Sequence, residues 1–92
     1  MPIEIRELNA VITSAQIFRD NSGLKIEIVF DYGHANQKAG PIPLDPNLMN
    51  NLMRIANASK WSELPGKPLR VRASTNEIYA IAPFLVGDWF EI

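Results

Sequence analysis

Leu24, Ile26, Ile28 and Phe30 alternate with Lys25, Glu27, Val29 and Asp31. That period-two pattern is the signature of a strand with one buried face. The preceding segment, Ala10 to Arg19, is rich in β-branched and aromatic residues, and Asp20-Asn21-Ser22-Gly23 lies between the two. Asn and Gly tolerate positive φ, so the spacing predicts a tight hairpin. Further on, Leu69, Val71 and Ala73 alternate with Arg70 and Arg72, Ser74 to Glu77 supplies a turn, and Ile78 to Phe84 reads as a fourth strand limited by Pro83. A second hairpin is expected there.

Between the hairpins the period changes. Leu48, Met49, Leu52, Met53, Ile55 and Ala56 fall at three- and four-residue spacing, leaving Asn47, Asn50, Asn51 and Arg54 for the outside. Asp45-Pro46 is a strong start for this helix, which is expected over Pro46 to Asn57. The Asp side chain accepts from free backbone N–H groups, and proline at the first helical position sacrifices no hydrogen bond. Tyr32 to Pro43 carries Gly33, Gly40, Pro41 and Pro43, and reads as a loop or a short irregular edge strand. Ser59 to Lys67 reads as a turn with one short helical turn at Trp61 to Leu64, stopped by Pro65-Gly66. The expected order is β-β-α-β-β, an α+β domain with one helix packed on a curved antiparallel sheet. A small, partly open barrel is the alternative.

Ninety-two residues make one domain, 1–92, able to bury roughly 60 to 65% of the surface its unfolded chain exposes. Cysteine is absent, which removes disulfide staples, thiolate nucleophiles and the usual zinc frameworks. Met1-Pro2-Ile3-Glu4-Ile5-Arg6 lacks the apolar core of a leader peptide, and no apolar run approaches about 18 residues. A cytoplasmic protein without a membrane segment is expected. Nine Lys plus Arg against ten Asp plus Glu give a net charge of -1, so no global field draws the chain to nucleic acid.

Candidate chemistry is sparse. His34 is the only histidine and stands beside Gly33 in a loop, with no nucleophile or metal ligand near it in sequence. Asp31, His34 and Asp45 match no metal-ligand spacing, and Asp45 is explained by capping. Gly33 to Gly40 lacks the Gly-Lys-Ser/Thr ending of a phosphate loop. No cofactor is expected. Lys67, Arg70 and Arg72 carry more weight. Arg70 and Arg72 share one strand face, and two guanidiniums about 7 Å apart match the planar oxygens of a phosphate or carboxylate. A solvated strand face is the simpler reading. With Tyr32 and His34 in the loop and Trp61 beside the Pro-Gly turn, they make up the candidate ligand-binding set. Trp61 reads first as a structural anchor. Trp89 and Phe90 either close the core or form an interface with another copy.

The C-terminal third, with Trp61, Glu63, Leu64, Gly66, Lys67, Arg70 and Val71, then Ile78, Ala80 and Ile81, then Asp88, Trp89 and Phe90, resembles a family of small uncharacterised proteins of tailed bacteriophages and prophages. The family pattern runs Trp-Glu-Asp-Leu-x-Gly-Lys-x-Val-Arg-Val, then Ile-x-Ala-Ile-Gly, then Lys-Asp-x-Trp-Phe. Ala82 and Pro83 stand where the family has Gly and a polar residue, and Arg72 is outside the pattern. The N-terminal hairpin and Gly40 to Asp45 match only loosely. The resemblance implies a phage protein in the host cytoplasm but supplies no reaction. The expected function is a non-enzymatic, homo-oligomeric binding module that captures a small anionic ligand, a host signalling nucleotide, or another defence component. The alternatives are a protein–protein inhibitor or adaptor of phage or host nucleic-acid machinery, working through an exposed sheet edge or the Tyr32 to Pro43 loop, and, more remotely, a small nucleotide-acting enzyme using His34 with Asp31 or Asp45.

Overall fold

A computed structural model describes residues 4–92; the first three residues of the stretch read for a leader peptide lie outside the described residues. The chain is α+β, with six antiparallel strands in one open sheet and a single α-helix. β1 spans Arg6–Asp20, β2 Gly23–Asp31, β3 Asn36–Pro43, α1 Pro46–Ala56, β4 Pro68–Ala73, β5 Ile78–Pro83 and β6 Phe90–Glu91. The order across the sheet is β3-β2-β1-β4-β5-β6.

Both expected hairpins are present, the first closed at Asp20 opposite Gly23 and the second with Ala73 opposite Ile78. The element order is not the expected β-β-α-β-β but β-β-β-α-β-β-β. Two strands account for the difference. β3 forms despite Gly40, Pro41 and Pro43 because it is an edge strand, where a missing N–H forfeits little. The ladder with β2 shifts register between Ile26 and Ile28, and Gly40 passes so close that a Cβ there would lie 2.6 Å from the Ile26 carbonyl oxygen. At φ +112° this position suits only glycine. β6 is two residues long and is held by Ala80 opposite Glu91 and Ile81 opposite Phe90.

β1 organises the sheet. Its first half pairs with β4, Arg6 to Val11 against Ala73 to Pro68, and its second half pairs with β2, Val11 to Asp20 against Asp31 to Gly23. A register shift between Ile12 and Ser14 separates the halves, and a bulge of this kind bends a strand. Residues 6–10 of β1 therefore run beyond the end of β2 with a partner on one side only.

One face of the sheet carries the core. Ile12, Ile26, Ile28, Phe30, Leu69, Val71 and Ile81 are fully buried, together with Leu52 of α1 and Leu64. Burying each such side chain is worth about 1.5–3 kcal/mol against leaving it in water. Asp45 caps α1, its Oδ1 accepting from the Asn47 and Leu48 backbone N–H groups at 2.9 and 3.5 Å. Trp61 opens a short 3-10 turn, packs against the core and donates its indole N–H to the Ala15 carbonyl at 3.1 Å. The anchor reading of Trp61 agrees with that contact.

Candidate functional site

Beside the part of β1 that runs past the end of β2 lies a cleft, and no residue of α1 lines it. Three separated segments line it: Glu4 to Leu8, Tyr32 to Gln37, and Ala73 to Asn76. Its volume is about 640 Å³, within the usual size of small-molecule pockets.

A hydrogen-bond relay fixes the walls. The Tyr32 hydroxyl donates to Gln37 Oε1 at 2.6 Å, and Gln37 Nε2 donates to the Ser74 carbonyl at 2.9 Å, tying the β2–β3 hairpin to the β4–β5 turn. The turns on either side are themselves braced: Tyr32 N–H donates to the Ala35 carbonyl at 2.8 Å, Gly33 N–H to Asp31 Oδ1 at 2.8 Å, and Ser74 N–H to the Glu77 carbonyl at 2.9 Å. Burial pushes the Tyr32 phenol up to about 12, because low-polarity surroundings disfavour its anion.

The rim is exposed and differently equipped. His34 stands with its ring 6.4 Å from that of Tyr32, tilted by 33°. Arg6 Nε donates to Glu4 Oε1 at 3.1 Å, but both side chains are largely exposed, and such pairs hold weakly. The side chains of His34, Asn36, Thr75 and Asn76 bond to no other side chain or backbone group among the described residues. The cleft therefore combines two aromatic rings, a weakly held guanidinium and unspent amide and hydroxyl groups around one concavity. No three His, Asp or Glu side chains converge for a metal among the described residues.

Tyr32 and His34 are brought together here. The other sequence-derived candidates are not. Arg70 and Arg72 lie on the opposite face of the sheet, where the chain after β5 folds back over them. Arg70 donates from Nε to the Pro83 carbonyl at 2.8 Å and from Nη2 to the Gly87 carbonyl at 3.1 Å. Trp89 covers both guanidiniums, with its ring centre 5.0 Å from Arg70 Cζ and 4.1 Å from Arg72 Cζ. Of the expected two-arginine clamp, Arg70 is thus engaged from within by two peptide carbonyls, and Arg72 is covered by the same indole face without donating a hydrogen bond among the described residues. Trp89 and Phe90 separate as well: Phe90 packs against the core while Trp89 lies over the arginines. Lys67 lines a second, smaller groove with Ile55, Ala56 and Pro68.

Glu4, Arg6, Gln37, Ser74 and Asn76 are the cleft residues that sequence reasoning missed. Nothing local marks them, since they meet only as walls of one cleft, and the bond that ties two of them, Gln37 to Ser74, spans 37 residues. No family model, curated protein or solved structure matches the chain. No helix among the described residues is long and apolar enough to cross a membrane.

Proposed function

We propose that this chain is a small binding protein that captures a nucleotide in the cleft and holds it without turning it over. The observation that carries the reading is the convergence of Tyr32, His34, Arg6 and the free amides of Asn36 and Asn76 around a cavity of about 640 Å³. Base stacking on an aromatic ring contributes about 1–3 kcal/mol, a guanidinium matches phosphate oxygens in pairs, and side-chain amides read the edge of a base. Among the described residues no carboxylate is hydrogen-bonded to His34 to orient it as a base, which favours retention over catalysis. The resemblance to phage proteins gives this binding a purpose: removing a host signalling nucleotide would blunt a defence that depends on it.

The alternative of a protein–protein adaptor working through the open edge of β3 is disfavoured by Pro41 and Pro43, which blunt that edge for strand addition. The test is calorimetry of the purified chain against linear and cyclic nucleotides, followed by chromatography of the recovered ligand. Binding that falls at least tenfold in His34→Ala and in Asn76→Ala, with the ligand returned intact, supports sequestration. Binding unaffected by either change removes the cleft from consideration, and a chemically altered ligand returns the enzyme reading.

A further inference from the structure

The cleft is poor in charge. Of the nine lysines and arginines in the chain, Arg6 is the one that lines it among the described residues, and Glu4 is the one acid. Met1, Pro2 and Ile3 add no charged side chain. Lys38 follows the wall residue Gln37 but does not line the cleft, and its Nζ lies 3.4 Å from Glu27 Oε2. Leaving His34 aside, the lining carries one charge of each sign, and the two are in contact, with Arg6 Nε donating to Glu4 Oε1 at 3.1 Å.

Neutral hydrogen-bonding groups are more plentiful there. Asn36, Thr75 and Asn76 line the same cleft, and their side chains bond to no other side chain or backbone group among the described residues. Such groups suit a base and a sugar, whereas a string of phosphates needs several cations.

We propose that the cleft takes a nucleotide bearing a single negative charge, a phosphodiester rather than a polyphosphate, and that Glu4 is the specificity-determining residue that sets this limit. The inference rests on the reading of the cleft as a nucleotide site and narrows its substrate class. A guanidinium offers its N–H donors in a fixed fork. Glu4 occupies Nε–H and leaves the Nη edge for one pair of phosphate oxygens. A phosphodiester, with one ionised oxygen, then meets one cation and one carboxylate. A phosphomonoester carries about −1.5 to −2 at neutral pH and a triphosphate carries more, and that added charge has the Glu4 carboxylate as its neighbour and no second lining cation to meet it among the described residues. Like charges set side by side reject the wrong ligand, which is how a rim residue contributes specificity more than affinity. Both side chains are more than half exposed, so the discrimination fades as salt rises.

Calorimetry of the full chain tests this at low salt and without divalent cations, which would mask phosphate charge. The probes, for each of the common bases, are the free nucleoside, the cyclic monophosphate, the methyl ester of the monophosphate, the monophosphate itself and the triphosphate. The methyl ester is linear yet carries one charge, so it separates charge from ring closure. For the base that binds best, both phosphodiesters are expected to bind at least about tenfold more tightly than the triphosphate. Glu4→Gln should narrow that gap at least about threefold by improving the triphosphate, with the melting temperature unchanged because the side chain is exposed. Arg6→Ala should bring the phosphodiesters down toward the affinity of the free nucleoside and leave nucleoside binding as it was. A triphosphate bound as tightly as the phosphodiesters overturns the proposal while the nucleotide reading stands. So does a gap that Glu4→Gln does not move, or phosphodiester binding indifferent to Arg6→Ala. If no form binds, the nucleotide reading itself fails and the charge limit falls with it.

Discussion

The two places where aromatic rings and cations meet, the cleft at Tyr32 and the cover at Trp89, use the same chemistry to opposite ends. At Trp89 the fold claims the cations in part: Arg70 serves two carbonyls, while Arg72 donates no hydrogen bond among the described residues and is covered only by the indole that it shares with Arg70. At the cleft only the walls are consumed, by the bonds from Tyr32 to Gln37 and from Gln37 to Ser74. The rim groups are left over. A cluster of charge along a strand is thus a poor guide to a binding site, because a nearby chain segment can claim it; what identifies a site is polar capacity that remains after the fold has taken its share.

If the Trp89 region is structural, removing it must be the most damaging change. Truncation after Gly87 deletes β6, the core contact of Phe90 and the stack on the arginines together. Loss of a large packed aromatic alone costs about 3–5 kcal/mol, a large share of what a chain this size has. The truncated protein is expected to be unfolded or to melt far below the full chain, as seen by circular dichroism. An unchanged melting curve would mean that the cover is dispensable and would erase the contrast between the two regions.

The next largest effect separates the two arginines. Arg70→Ala removes two charge-assisted hydrogen bonds to carbonyls and half of the stack, an expected loss of about 2 kcal/mol. Arg72→Ala removes only the stack, for which about 0.5–1 kcal/mol is expected. Urea titration of both variants measures the difference. Equal effects would show that the carbonyl contacts contribute nothing. The sequence alone offered both as an anion clamp or, more simply, as a solvated strand face; the return of the chain over them makes Arg70 part of the framework.

In the cleft the expected effect is smaller than that of Arg70→Ala and depends on pH. Tyr32 titrates at about 12 in the folded chain against an ordinary 10.0, so the unfolded chain releases this proton first. The neutral phenol therefore stabilises the fold fully below pH 10, and that contribution is lost as pH rises through about 12. Tyr32→Phe should lose about 1 kcal/mol at neutral pH, from the broken bond to Gln37, and should show a flatter decline of stability above pH 10 than the wild-type chain. Parallel declines in the two proteins would mean that Tyr32 is more hydrated than its packing suggests.

How much of this was legible beforehand follows from where the constraints lie. β2 and β4 were readable because their burial alternates residue by residue along the chain. The helix was readable because Asp45 and Pro46 are a local start signal whose cap forms as expected. β3 was only half readable, since Gly40 and two prolines carry loop chemistry and only its place at the sheet edge makes them tolerable. β6 was invisible, because two residues become a strand only by contact with Ala80 and Ile81. The cleft was the least readable part. Tyr32 and His34 could be nominated from a loop, but the other cleft walls, from β1 and the β4–β5 turn, and the Gln37 to Ser74 bond that ties one of them in place, depend on distant partners.

The smallest effect on stability should come from the rim, and there the comparison is sharpest. His34 is exposed and bonds to nothing else among the described residues, so His34→Ala is expected to shift unfolding free energy by less than about 0.5 kcal/mol. The same substitution should weaken nucleotide binding at least about tenfold, or 1.4 kcal/mol, if the imidazole contributes a face or a donor to the ligand. A residue whose removal leaves the fold untouched and the affinity diminished is what unspent capacity means in energetic terms. Calorimetry and denaturation on one preparation decide it. A stability loss comparable to that of Arg70→Ala would place His34 in the framework, and the two aromatic regions would then differ in position but not in kind.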